Sequence, residues 1–428
     1  MGTGMGTGTD IDQRIVIIGG GVIGLTQAYD LARQGAQVTV IDQRSTGLGA
    51  SSVNAGWVVP AEAAPVPAPG VIVQSMKWML HRDSPLYIKP SLAPNHVRFM
   101  LGMWRRSNAR DFRAGLAAQL ALASGTMEML DDYAADGVEF EMHTDGLLLA
   151  YLSPDKLHHH AEHLDIPASF GLEADILEGD AVRDREPALT DAVSGGIYFP
   201  TERHLDPASL VAGLRKRCES LGVTFIEDAR VTSVERRGDR VTALRTDSSR
   251  IPVDAVILAA GAWSGFASAM FGTSLPVRAG KGYAIDCAPP PVALRTMVNL
   301  SDAKVAVTPL DTKVRLAGTM EFGPHDESVN DVRIAAILRA PAQYFRGWPA
   351  EPAHVVAGAG MRPMTPDGLP IIGRLPGLGN TYVSTGHGMM GVTLAPGSAR
   401  AISTFILTGR QPRELLPFDA RRFARRAA

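Results

Sequence analysis

Three glycines open the inventory of residues that could do chemistry: Gly19, Gly21 and Gly24, in the spacing Gly-x-Gly-x-x-Gly. They follow directly on Ile15-Val-Ile-Ile18, a short β-branched run that suits a buried parallel strand. They lead into a helix-like stretch that runs to about Gln34, with Gly35 as its stop. Gly19 permits a tight turn, Gly21 lets a pyrophosphate approach the backbone, and Gly24 lets helix and strand pack closely. The helix N-terminus then offers free N–H groups and a positive dipole end to the phosphates. Gln37-Val-Thr-Val-Ile reads as the next strand and ends in Asp42, near the ~20-residue spacing expected of a carboxylate on an adenosine ribose. A lone glycine pattern says little. Strand, glycines, helix, strand and acid in succession specify a dinucleotide site.

A second block lies near the other end. Gly386-His-Gly-Met-Met-Gly391 is a glycine loop between the strand Thr381-Tyr-Val-Ser-Thr and a closing helix from Val392 to Leu407. A helix N-terminus aimed at a ring can stabilise negative charge there. Just before it, Gly360 to Gly373 is turn-rich and holds Arg362, a candidate clamp for a carboxylate. Between the two blocks, Ser45 to Trp57 is dominated by small and hydroxyl residues that can lie against a large flat ligand. Val253-Asp-Ala-Val-Ile-Leu-Ala-Ala-Gly-Ala-Trp263 is a second strand ending in small residues, which a single nicotinamide domain does not require.

The remaining elements must hold these blocks. Pro60 to Pro69 reads as extended. Val71 to Leu80 is either a membrane-surface patch or an amphipathic core helix or lid. Asn95 to about Asp136 is helical in pattern, and Gly146 to Leu152 strand-like. Asp206-Pro207 starts a helix to about Leu221, with Asp as cap and Pro in the first turn. Val223 to Glu227 and Arg230 to Glu235 read as strands, ordered as in another β-α-β unit. Residues 303 to 320 form an antiparallel hairpin turning at Asp311-Thr312. Val329 to Tyr344 reads as a helix. His158, His159, His160 and His163 suggest a metal at first sight. They point in different directions on a helix with no acid or cysteine to complete a set, so no metal is expected.

At 428 residues the chain can hold two or three domains. A net charge of −2 excludes the basic excess of a nucleic-acid binder. The two cysteines, Cys218 and Cys287, have neither metal spacing nor a disulfide framework, which fits a reducing cytoplasm. Residues 1 to 11 read as a disordered tail rather than a signal peptide. No apolar run reaches the ~20 residues of a membrane span.

Together these blocks resemble the FAD-dependent D-amino acid dehydrogenase family, within the glycine oxidase/D-amino acid oxidase superfamily, from Ile15 to Gly409. Besides the first glycine motif, the resemblance rests on Ser51-Ser-Val-Asn-Ala-Gly56, Lys77-Trp78, Leu258-Ala-Ala-Gly-Ala-Trp263, Lys281-Gly-Tyr283, Arg362-Pro-Met-Thr-Pro-Asp-Gly-Leu-Pro370 and Thr385-Gly-His-Gly388. It implies an α/β chain overall of α+β character. A Rossmann-like FAD-binding domain would be discontinuous (12–94, 201–282 and 355–428). A substrate domain on a mixed or antiparallel sheet with helices would take 95–200 and 283–354. It implies non-covalent FAD, because neither cysteine lies near the C-terminus. FAD would then contact Gly19, Gly21, Val22, Ile23, Gly24, Asp42, Gln43, Arg44, Ser51, Ser52, Asn54, Ala55, Gly56, Val231, Ala260, Gly261, Trp263, Gly386, Gly388, Met389, Met390 and Gly391.

The implied reaction is oxidation of an amino acid, a D-amino acid first, to an imino acid and then a 2-oxo acid and ammonia, with hydride passing to flavin N5. A cyclic secondary amine such as proline or hydroxyproline, or a 2-hydroxy acid, is the alternative substrate. The implied site residues are Arg362 on the substrate carboxylate, then His387 and Tyr283. Glu321, at the end of the hairpin, is a candidate selector of basic substrates. Oxygen or a quinone would re-oxidise the flavin. The protein is expected in the cytoplasm, with peripheral contact to the inner face of the membrane left open, and with no nucleic-acid partner.

Overall fold

A computed structural model of the chain describes residues 13–70, 84–89, 91–323 and 325–423. The expected tail and the Val71 to Leu80 stretch lie outside the described residues. The β-branched run becomes the strand Arg14–Ile18, buried from Ile15 to Ile18. It sits inside a six-stranded sheet in the order Thr224–Ile226, Gln37–Ile41, Arg14–Ile18, Ala255–Leu258, Thr381–Thr385, Ile371–Arg374. The first five are parallel and the last is antiparallel.

A parallel sheet must be covered on both faces. Ile15, Ile17, Val38, Val40 and Ile257 face the helices Val22–Arg33, Pro207–Ser220 and Gly391–Thr408. Val16, Ile18, Ile41, Val256 and Leu258 face the other way, onto Val231, Val241 and Leu244. Those three residues lie in a small antiparallel sheet, Val231–Arg237, Arg240–Thr246 and Arg250–Pro252. The expectation that the run from Arg230 continues the parallel sheet is therefore corrected. Thr232, Ser233 and Arg236 are exposed along it, and an inner parallel strand has no face for them.

The second large sheet has nine strands among the described residues. Its order is Val355–Met364, Arg278–Cys287, Val314–Phe322, Val305–Pro309, Met297–Leu300, Leu147–Tyr151, Gly195–Phe199, Asp175–Glu178, with Leu86–Ile88 also beside Val314–Phe322. The hairpin stands where the alternation placed it, with Pro309 opposite Val314. The stretch around Arg362 differs from its turn-rich reading. Val355–Met364 pairs over its whole length with Arg278–Cys287, and Arg362 is in the strand, opposite Gly280. Pro363 is tolerated because this strand is at the sheet edge, where a missing N–H costs little. Two strands that the sequence reading gave to the cofactor unit, Leu86–Ile88 and Val355–Met364, thus run in the nine-stranded sheet.

The stretch from residue 95 to 136 divides into the helices Pro94–Arg106, Ala109–Ala123 and Thr126–Ala135. The helix read at 329–344 is Asp331–Arg339, capped by the Asn330 side chain on Val332 N and Arg333 N. Pro341 then tightens the chain into a 3-10 turn. Pro60 to Pro69 is not extended throughout, since Pro60–Glu62 forms a 3-10 turn. Among the described residues no helix is long and apolar enough to cross a membrane.

Candidate active site

One cavity of about 760 Å3 runs between the two sheets. At one end it is made of backbone. Gly21, Val22 and Ile23 bring the N-terminus of the first helix to it. Gly19 has φ +113 and packs so closely on Ala259 O that a side chain has no room. Gly24 lies against Gly19 O, where a Cβ would overlap the carbonyl. It therefore serves packing and does not itself line the cavity. Asp42 accepts Gly20 N on Oδ2 at 2.7 Å and Arg44 N on Oδ1 at 2.9 Å, so the acid locks the glycine turn to the second strand. Ser51 Oγ accepts Val22 N at 2.9 Å. Gln43, Arg44, Val231, Ala260, Gly261 and Trp263 complete this wall, with the Arg44 guanidinium 5.1 Å over the Trp263 ring.

The middle of the cavity is covered by the loop from Ser51 to Trp57. Ser51, Asn54 and Ala55 line it. Ser52 and Gly56 do not. Ser52 O and Asn54 O instead accept Arg315 Nη1 at 3.1 and 3.0 Å, and Gly56 packs on Leu205 O. Arg315 is held by Asp286 at 2.6 Å, and Lys313 lies 3.2 Å from the same acid. Burial pushes the Asp286 carboxyl up, and Arg315 and Lys313 outweigh it, holding the group below the usual carboxylate range. This post was missed in the sequence. Its only trace is that Asp286 and Arg315 fall opposite each other on neighbouring strands.

The second glycine loop also reaches the cavity. Gly388, Met389, Met390 and Gly391 line it, at the N-terminus of Gly391–Thr408. Gly386 does not; it packs on Thr365. His387 lines the cavity and is buried. Its Nε2 is 3.1 Å from Ser398 Oγ, its Nδ1 has no partner among the described residues, and burial drives its pKa down to about 3. The ring is neutral at ordinary pH and serves as a hydrogen-bonding group.

Arg362 is the charged centre of the far end. It lines the cavity, and its Nη1 donates to Thr319 O at 2.6 Å. Among the described residues no carboxylate pairs with it. Burial alone pulls its pKa down to about 10, so it stays a cation. Gly282, on the neighbouring strand, lies beneath the guanidinium, and a Cβ there would collide with it.

Tyr283 is corrected. Successive residues of a strand face opposite sides. Gly282 faces the cavity, so Tyr283 points away into the core with Ile285, Val307 and Ile337. Glu321 is likewise turned from the cavity. It is half-buried, 3.3 Å from Arg333 and 3.7 Å from Lys281. Of the histidine run, His158 and His159 are exposed beside Glu178 and Glu162, while His160 turns in to Tyr151 OH at 2.5 Å. Residues of the wall that sequence reasoning missed include Glu62, Asn299, Lys304, Ala306, Ala317 and Thr319.

The wall suits a long dinucleotide. Two helix N-termini open on one cavity, and Gly19, Gly21, Gly388 and Gly391 keep side chains out of its wall beside them. Its size lies in the upper part of the range of small-molecule sites, roughly 300–1,000 Å3. Fold and site together define a flavoprotein oxidoreductase built on two large sheets. The chain belongs to the FAD dependent oxidoreductase family, whose model matches residues 14–404.

Among curated proteins it is 33% identical over 409 residues to a D-amino acid dehydrogenase of Cereibacter sphaeroides, covering 93% of this chain and 92% of that one. It is 32% identical over 407 residues to one of Methylobacterium radiotolerans, covering 93% and 96%. Among solved structures it superposes on glycine oxidase from Geobacillus kaustophilus with a TM-score of 0.74 at 22% identity, covering 95% and 98%. It superposes on L-proline dehydrogenase from P. horikoshii at 0.72 and 19%, covering 96% and 98%. Likeness at this identity carries the fold.

Proposed function

We propose that the protein oxidises amino acids, D-amino acids first, to imino acids that water converts to 2-oxo acids and ammonia. Arg362 carries this reading. A half-buried guanidinium without a carboxylate partner among the described residues, in the wall of a ligand cavity, is a ready site for an anion. An α-carboxylate supplies one in the bidentate form that guanidinium favours. The relatives named D-amino acid dehydrogenase support the substrate class.

On this reading Gly19, Gly21, Val22 and Ile23 take the FAD pyrophosphate, and Asp42, Gln43, Arg44 and Val231 take the adenosine. Ser51, Asn54, Ala55, Ala260, Gly261, Trp263 and Gly388 to Gly391 take the flavin half. The chemistry that bound FAD would supply there is acceptance of a hydride from the substrate's α-carbon. The chain's own part is to orient. Arg362 fixes the carboxylate and with it the face of Cα that is presented. His387, held neutral, adds a hydrogen bond and no charge. The amine must therefore enter the reaction without its extra proton.

The reading also places the protein in the cytoplasm, against the inner membrane, with a quinone as electron acceptor. The helix Pro94–Arg106 supports the membrane contact. It exposes Val97, Leu101 and Trp104 on one face at 39, 47 and 59%. Arg98, Arg105 and Arg106 flank them, also exposed, with Arg106 3.4 Å from Asp111. That combination suits an interfacial helix on anionic lipid. Its inner face packs Phe99, Met100 and Met103 on Met320 and Met364, beside the cavity.

The test is anaerobic bleaching of the bound flavin by a panel of D- and L-amino acids, cyclic amines and 2-hydroxy acids, followed by oxygen or by quinone in anionic vesicles. D-amino acids should bleach it and release ammonia, and the protein should sediment with the vesicles. Bleaching by 2-hydroxy acids alone would overturn the substrate class. Free protein and re-oxidation by oxygen alone would overturn the membrane and quinone assignment.

A further inference from the structure

Two carboxylates line the cavity among the described residues, Asp42 and Glu62. Asp42 is committed to Gly20 N and Arg44 N. Glu62 is not committed. It ends the turn Pro60–Glu62, and its ion-pair partner among the described residues is His160. That Nε2 lies 3.7 Å from Oε1, beyond hydrogen-bond length. The turn is pinned from behind. Fully buried Glu202 accepts Ala61 N at 2.9 Å, and Val59 N donates to Thr393 Oγ1 at 3.1 Å. Tyr151 holds the His160 ring at Nδ1. Glu62 thus stands on a fixed turn and presents a carboxylate to the ligand wall, short of a cation.

Its place relative to Arg362 defines what could satisfy both. Arg362 leaves the edge strand, crosses Gly282 and reaches Thr319 O, two strands in. From Thr319 to the strand Leu147–Tyr151, which holds His160 beside Glu62, is three strand spacings, or about 14 Å. Along that span the cavity wall is Ala317, Ala306 and Asn299, all small or uncharged. Lys304 lies at the rim, exposed, where water screens it. A ligand with its carboxylate on Arg362 and an extended lysine- or arginine-length side chain bridges such a gap, with a hydrogen bond at each end. An alanine-length ligand leaves Glu62 unmet.

We propose that Glu62 is a specificity-determining residue that receives the distal guanidinium or ammonium of a basic amino acid while Arg362 holds its carboxylate. This rests on the amino acid reading above. It moves the selection of basic substrates from Glu321, which faces away from the cavity, to a residue that lines it.

The test compares anaerobic flavin reduction of the holoenzyme and of Glu62→Gln by D-arginine, D-lysine and neutral D-norleucine, after bound FAD and melting temperature have been matched. The wild type should favour the two basic substrates. Glu62→Gln should lose roughly 10- to 100-fold in kcat/KM for them and change by less than about twofold for D-norleucine. An inert pair keeps the test open if the variant folds poorly: 5-guanidinopentanoate should compete roughly tenfold more tightly than heptanoate in the wild type. Two results would overturn the role of Glu62 and leave the amino acid reading standing. One is an unchanged basic-to-neutral ratio in the variant; the other is equal competition by the two acids. If no amino acid reduces the flavin, both readings fall.

Discussion

The two ends of the cavity are built from different materials. At the glycine-motif end the wall is built largely on main chain and a helix terminus, most of it between Ile18 and Ala55, closed by the stretches 229–232 and 259–270. At the Arg362 end they come from side chains on strands distant in sequence, set by the register of the nine-stranded sheet. The first end depends on space being left empty, and the second on a few groups being held over that space. Damage to the first should therefore remove the cofactor, whereas damage to the second should leave a coloured but ineffective protein.

The largest expected effect is Gly19→Ala. The left-handed φ and the contact with Ala259 O together cost ~3 kcal/mol or more, so bound FAD should fall by roughly 100-fold or the chain should fail to fold. The ratio of flavin to protein absorbance reads this. Next comes Arg362→Ala, which should keep its FAD and lose roughly 1,000-fold in kcat/KM, with Arg362→Lys recovering little of it. If Arg362→Ala comes out colourless, the two ends are not separable. The smallest effect is Gly282→Ala. It displaces the guanidinium without touching the helix termini, and should cost about tenfold in kcat/KM at full FAD content. Wild-type kinetics here would show that Arg362 does not need this seat.

This contrast also explains what could be read before the fold was known. Gly19 to Asp42 was legible because strand, turn, helix and acid adjoin in the chain, so local spacing is also geometry. The closing loop from Gly386 to Gly391 was legible for the same reason. Tyr283 was misplaced because alternation gives its side chain the face opposite Gly282, and which face meets the cavity is decided by Arg362 leaning over the glycine. The Arg362 strand hid behind Pro363, Pro366 and Pro370, which signal turns unless a strand is at an edge. Glu321 looked available at the hairpin end, but Arg333 and Lys281 already claim it. Glu62 gave no local signal, since what brings it to the wall is the buried Glu202 pinning Ala61, 141 residues away.

The lone guanidinium of Arg362 has a consequence for how the protein survives when idle. Folding has half-enclosed a positive charge that no acid among the described residues neutralises, so an occupied site and a more durable fold are the same thermodynamic event. Any small organic acid that fits, reactive or not, then acts as a temporary part of the scaffold, and starvation for such acids leaves the enzyme in its most fragile form.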